Sequence, residues 1–338
     1  MAGDSLRAAS TVVGVLLLVG VVVIVGGVVA LGSLTFLDGT GAPQATATFD
    51  YEQTPVGLRM SPSAISTAVT VQLNGRDVAT FDPDSAGQSV LLPTAPDDRI
   101  TVVSRDGEQS VLVDRTVDDR SEVGDLIAYY TFEEGDDPTV LEDKSGTDND
   151  GDLVTDGTGA RPTWNDGSLE FNGGSDGYVD VQGIDPPEGV DVTSFTIAVA
   201  YRQTADPGGV DQLVEHDFDA AGSDNLEWFL ETRGSDPHKV DYNVDFPESD
   251  IIRSGAAYPT GERHVAVGTY DGSEYTLYVS GAKIGTENHT QEISIENMRI
   301  GRDYESNSQY LDGEIYEIRL YYTAFDGEEV QVVTNAME

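Results

Sequence analysis

From Ala8 to Leu37 the chain runs thirty residues without one charged side chain. No other stretch of its 338 residues resembles it. At about 1.5 Å rise per residue, a helix of that length reaches roughly 45 Å, beyond the roughly 30 Å hydrocarbon core of a bilayer. The run is too long for the apolar region of a secretory signal, and no small-residue cleavage site follows it. The sequence therefore predicts one hydrophobic helix over residues 9–37, embedded in a membrane or a fibre, that carries everything after it. Arg7 and the amino terminus precede the run and Asp38 is the first charge beyond it. The positive-inside rule then places the N-terminus in the cytoplasm and residues 38–338 at the cell surface. Gly14, Gly20, Gly26, Gly27 and Gly32 would let such helices approach closely.

The remainder is strongly acidic. Sixty-one Asp and Glu stand against eighteen Lys and Arg, a formal charge of −43. Such a chain repels phosphate backbones, which excludes nucleic acid as a partner. Lysine occurs only at Lys144, Lys239 and Lys283. Low lysine with acids spread along the chain resembles proteins of salt-loving archaea, whose surface charges are screened over a few ångströms in molar salt. There is no cysteine, so a domain outside the cell must rely on a buried core rather than disulfides.

Residues 38–120 read as a small antiparallel β-sandwich or barrel. Short alternating apolar runs are broken at Asn74-Gly75 and Asp106-Gly107, both hairpin signals. The polar stretch from Asp118 to Gly124 marks a boundary. Residues 121–338 read as a second β domain, with many short strands rich in β-branched and aromatic residues, such as Thr196–Tyr201 and Tyr275–Val279. Asp326-Gly327-Glu328-Glu329 reads as a capping box that opens a short closing helix.

Two resemblances sharpen this outline. Arg7-Ala8 followed by Ala9-Ser10-Thr11-Val12-Val13-Gly14-Val15 resembles the start of archaeal type IV pilins, with a departure at Thr11 where proline is usual. That resemblance implies a leader over residues 1–8 cut between Ala8 and Ala9, packing of like subunits through the N-terminal helix, and a small pilin-like β domain over 38–120. A plain membrane anchor is the alternative. The second domain is similar to the laminin-G-like, concanavalin-like jelly rolls. The elements that carry the likeness, in order, are Phe132-Glu133-Glu134, Asp143–Gly146 with Asn149-Asp150-Gly151, Leu169–Gly173 with Tyr178-Val179, His264–Ala266 with Tyr270–Gly272, Ile300-Gly301-Arg302, and Leu311–Ile315. The expected fold class is thus mainly β with one long N-terminal hydrophobic α-helix, a small sandwich or barrel, and a concanavalin-like jelly roll.

The loop holding Asp143, Asn149 and Asp150 offers several oxygen donors on glycine-permitted turns, as calcium requires. The laminin-G resemblance implies a calcium at a comparable loop, and solvated turn acids are the other reading. Trp164, Tyr258, Tyr304 and Tyr310 are candidates for a sugar-stacking platform, set against ordinary packing roles. Trp228 reads as core. Asn288-His289-Thr290 is a glycosylation sequon. A catalytic carboxylate pair is missing: Glu314 and Glu317 lie three apart on a strand and are expected on opposite faces. The function expected is a non-enzymatic, pilin-like surface subunit that presents a lectin-like adhesion module to surface glycans or proteins.

Overall fold

Alternating apolar and polar residues build the described chain into four β-sheets and a terminal helix. The structure, a computed structural model, describes residues 45–338 apart from 106–109, 134–137, 156–158, 174–176, 188–189, 191, 205–208, 217–227, 235–236, 245–250, 290–292 and 304–308. The leader 1–8, the Ala8–Ala9 cleavage position, the run 9–37 and Tyr304 lie outside the described residues. The expected fold class is corrected at its helix. Among the described residues the one α-helix is α1 (Gly327–Met337), at the opposite end of the chain, and none is long and apolar enough to cross a membrane. The expectation rested on hydropathy and length alone, in a run dominated by valine and glycine, which are weak helix formers by themselves.

The first β unit comprises β1 (Ala47–Thr54), β2 (Gly57–Ile65), β3 (Val69–Leu73), β4 (Arg76–Phe81), β5 (Val90–Leu92), β6 (Arg99–Ser104) and β7 (Val111–Thr116). They form a three-stranded sheet, β1-β2-β5, and a four-stranded sheet, β4-β3-β6-β7. Asn74 and Gly75 both adopt positive φ, 52° and 81°, as the two-residue turn between β3 and β4 requires.

The rest is β8 (Leu126–Tyr130), β9 (Val140–Leu141), β10 (Gly151–Thr155), β11 (Thr163–Trp164), β12 (Leu169–Phe171), β13 (Gly177–Gln182), β14 (Phe195–Gln203), β15 (Val210–His216), β16 (Trp228–Arg233), β17 (Lys239–Val244), β18 (Ile252–Arg253), β19 (His264–Tyr270), β20 (Glu274–Val279), β21 (Ala282–Asn288), β22 (Asn297–Ile300) and β23 (Gly313–Tyr321), then α1. Two antiparallel sheets result. The front sheet runs β18-β17-β16-β15-β22-β13-β10-β9, and the back sheet β11-β12-β23-β14-β19-β20-β21, with β8 also on β23. Between them lies one core, including Val179, Val214, Leu230, Tyr242 and Ile300 from the front and Ile197, Val199, Tyr201, Leu277 and Ile318 from the back. Gly268 on β19 is obligatory there, because a Cβ would stand 2.5 Å from the Tyr242 ring.

The back sheet is buried on its outer side too. Ala198, Ala200, Val265, Val267 and Tyr278 pack against Met60, Val71, Leu92 and Val102 of the small unit and against Val330, Val333 and Met337 of α1. A strand covered on both faces loses its alternation, which is why Phe195–Tyr201 reads as one apolar run. Residues 45–338 accordingly form one compact unit. Arg319 ties the layers together. Fully desolvated, it donates to Pro93 O (2.6 Å) and Glu317 Oε1 (2.6 Å) and lies over the Tyr129 ring at 4.6 Å. At the junction Gly124 (φ +65°) admits no side chain, since a Cβ would meet Pro55 O at 2.2 Å. Asp326 caps α1 by accepting from the Glu328 and Glu329 amides, and Glu329 answers the Asp326 amide, as the sequence predicts.

Candidate binding face on the front sheet

The outer face of the front sheet carries polar residues, of which Gln212, Glu215, Glu231, Asp241 and Asn243 are buried, Phe229 is half-buried, and Lys239 and Arg253 are exposed. Strand alternation sends Val240, Tyr242 and Val244 inward and Lys239, Asp241 and Asn243 outward. Register then lines the outward residues into rows across the strands. One row reads Asp180, Arg299, Glu215, Phe229, Asn243, from β13 through β22, β15 and β16 to β17. The next reads Gln212, Glu231, Asp241, Arg253, from β15 to β18. A bulge at Leu213 lets both Leu213 and Val214 enter the core while Gln212 still faces Glu231.

Three arginines of this face pair with three of its carboxylates. Arg233 reaches Glu231 and Asp241, each at 2.9 Å, and Arg253 reaches Asp241 at 3.2 Å. Arg299 stands 3.7 Å from Asp180. Burial pushes the Glu231 carboxyl up to about 7, overriding the pull of Arg233, and raises Asp241 against the pull of Arg233 and Arg253. At one end of the face the Tyr178 ring lies between Arg299 (5.0 Å) and Arg302 (4.7 Å), and Arg302 also covers Tyr310 at 5.3 Å. These stacked guanidinium–ring contacts hold long side chains in fixed positions. Two amides are left over. Gln212 and Asn243 are 1% and 2% exposed, and among the described residues Gln212 Oε1 and Asn243 Nδ2 have no hydrogen-bond partner.

The residues singled out from sequence are scattered across the fold. Of the four aromatics, Tyr310 adjoins the front face through Arg302. Trp164, at the edge of the back sheet, packs on the core and donates Nε1 to Pro138 O at 2.9 Å. Tyr258 bridges His238 and contacts the His238 and His264 rings. Trp228 is fully buried against Phe195 and His216. Asn288 is exposed at the end of β21.

Asp143, Asn149 and Asp150 do converge in one loop. The Asp143 carboxylate accepts from the amides of Tyr129, Ser145 and Asn149 and the hydroxyls of Ser145 and Thr147, at 2.7–3.0 Å. Asn149 donates to Ile127 O (2.6 Å) and accepts from the Asp185 amide (3.2 Å), and Asp150 Oδ1 accepts from the Asp143 amide (2.7 Å). A cation ligated by Asp143 would have to displace these donors. Among the described residues no group of three or more His, Cys, Asp or Glu side chains is placed to hold a metal ion.

Glu314 and Glu317 correct another expectation. A bulge in β23 at Tyr316 puts Glu317 opposite Ala200 and Glu314 opposite Arg202, so both carboxylates share the outer face of the back sheet. Each is taken by an arginine: Glu314 by Arg202 and Glu317 by Arg319.

Residues 172–331 match a laminin-G-type family model, described as the concanavalin A-like lectin/glucanases superfamily. That segment is a concanavalin-like jelly roll. Solved structures similar to the chain include domain 4 of AbnA, a GH43 extracellular arabinanase from Geobacillus stearothermophilus, in complex with arabinotriose. The identity is 15%, the TM-score 0.46, and the match covers 62% of this chain and 98% of that one. The binding domain of botulinum neurotoxin DC in complex with rat synaptotagmin II matches at 12% identity and TM-score 0.44, over 63% of this chain and 52% of that one. The binding domain of Paraclostridial Mosquitocidal Protein 1 matches at 16% identity and TM-score 0.44, with the same coverages. The chain thus spans about half the length of those two toxin domains. No curated protein matches it.

The sequence marks Tyr178 only as part of the jelly-roll likeness and gives no sign that Gln212, Phe229, Glu231, Asp241, Asn243 or Arg299 share a face. The signal that could have found them is the alternation itself, since Leu230-Glu231 and Val240-Asp241-Tyr242-Asn243 interleave acids and amides with core residues.

Proposed function

We propose that the chain is a recognition module whose jelly roll binds saccharides on the outer face of the front sheet. The observation that carries this reading is the ladder of arginine, carboxylate, amide and aromatic side chains on that face, on a sandwich whose other sheet is covered on both sides. Saccharides are recognised by planar polar groups and ring faces held in fixed positions, and the family description of the matched segment agrees. Glu231, Asp241 and Asp180 are paired with arginines rather than set free as an acid and a nucleophile, which favours binding over hydrolysis. Presentation at a cell surface, as a filament subunit or as a singly anchored protein, is supported by the charge-free run 8–37. Mass spectrometry of the mature N-terminus tests the filament setting, and an intact Met1–Ala8 would oppose it.

The binding reading is tested with the full chain on a glycan array in molar salt. Arg253→Ala and Lys239→Glu, at exposed positions on the face, should weaken or abolish the signals. An array pattern identical to wild type in both variants, or no signal at all, would refute the reading.

A further inference from the structure

We propose that Asn288 carries an asparagine-linked oligosaccharide, attached outside the membrane at the outer edge of the back sheet. The inference rests on the cell-surface reading and adds a covalent modification to it. Asn288-His289-Thr290 is the one Asn-X-Ser/Thr triplet in the 338 residues, the acceptor that oligosaccharide transfer requires. A motif this short also arises by chance, so its place in the fold decides whether it can serve.

Asn288 is the last residue of β21 and is exposed. β21 ends the back sheet and pairs with β20, where Glu274 stands opposite Asn288. Tyr275 and Leu277 of β20 enter the core, so alternation turns Glu274 and Asn288 to the outer side. Glu274 is exposed as well. Tyr278 is the β20 residue that joins the apolar layer under the small unit and α1. It lies four residues along the strand from Glu274, about 13 Å at 3.3 Å per residue. A bulky, hydrated group on Asn288 therefore meets neither the core nor the covering layer. It also stands on the sheet opposite the candidate binding face.

The backbone beside Asn288 is held in place. The His289 amide donates to Ser273 O at 2.8 Å, and the buried His289 ring packs on Tyr270 at 5.8 Å. The side chain is thus carried outward from a fixed strand end. β21 has seven residues, whereas β9, β11 and β18, which end the jelly-roll sheets elsewhere, have two each. A long outer strand offers its backbone to another strand, and a glycan at its end obstructs that approach. In the transfer, Asn288 Nδ2 loses a proton and bonds to C1 of the first sugar of a lipid-phosphate-linked oligosaccharide. The bond from C1 to the phosphate oxygen breaks, the lipid phosphate leaves with the electron pair, and a base of the transferase takes the proton.

The test isolates the full protein from the cells that make it and digests it with trypsin. Cleavage after Lys283 and Arg299 releases residues 284–299, whose mass and fragments are read by mass spectrometry. In parallel, intact cells are treated with a membrane-impermeant amine reagent, which reports whether the exposed Lys239 lies outside. The expected result is a peptide heavier by whole sugar residues with the addition on Asn288, and a bare peptide in both Asn288→Gln and Thr290→Ala. Thr290→Ala keeps the asparagine and removes only the acceptor triplet. A bare peptide in the wild-type protein overturns the inference, and so does sugar that persists on Asn288 in Thr290→Ala. A labelled Lys239 beside a bare peptide leaves the cell-surface reading standing. An unlabelled Lys239 beside a bare peptide takes that reading down as well.

Discussion

Asp143→Ala is expected to destabilise the chain by about 3–5 kcal/mol, a large share of the 5–15 kcal/mol that holds a typical fold. The carboxylate accepts five hydrogen bonds, three of them from the backbone amides of Tyr129, Ser145 and Asn149. Bonds to a charged acceptor contribute about 1.5–3 kcal/mol each. The two hydroxyls keep a second acceptor in Ile127 O, so their loss is cushioned. The three amides have no such substitute and must find water. Asp143→Asn keeps one acceptor oxygen and should cost less, about 2 kcal/mol. The assay is urea unfolding in molar salt, with chelator and with added calcium. If Asp143 organises the loop, both variants lose stability in chelator. A difference below 1 kcal/mol in chelator that widens only when calcium is added would refute the reasoning and make Asp143 a metal ligand.

Three further outcomes are expected. Burial raises the Glu231 carboxyl to about 7 against its ordinary 4.5, so the native state binds the proton more tightly than the unfolded one. The stability this group contributes is present below about pH 4.5 and is lost as pH rises toward 7; Glu231→Gln should flatten that slope in pH-dependent melting curves, and an unchanged slope would contradict it. Gly268→Ala should cost at least about 2 kcal/mol or abolish folding, since its Cβ would enter the Tyr242 ring in a core that tolerates overpacking poorly; wild-type urea stability would contradict the close approach. At a formal charge of −43, transfer from molar to low salt should lower the melting temperature as screening weakens, and a salt-independent melting curve would count against this.

The sequence shows some of this fold and hides the rest for physical reasons. Strands with turn chemistry, such as Asn74-Gly75, and the cap at Asp326 are local signals, and both are found in the structure. The packing of the small unit on the back sheet is non-local. Its trace is the absence of alternation in Phe195–Tyr201, which reads equally as an ordinary buried strand. The bulges at Leu213 and Tyr316 each reverse the face of the residues beyond them, and nothing in the composition marks them. For that reason the three-residue spacing of Glu314 and Glu317 predicts opposite faces while the structure has both on one. Aromatics near glycine in loops suit a sugar platform, yet Trp164 and Tyr258 are held by packing. The candidate face is assembled from one to three residues on each of six strands, which only register brings together.

The common core beneath Ala198 and Ala200 also has a mechanical consequence. Two domains joined by a slack linker absorb a pull by reorienting. Here the small unit, α1 and the back sheet share one apolar layer, and Arg319 pins that layer to Pro93. A force applied through the small unit is therefore passed to the front face as torque rather than lost in a swivel. A ligand held on that face would be loaded from a fixed direction, and the strength of the attachment would depend on how the load is aimed as well as on its size.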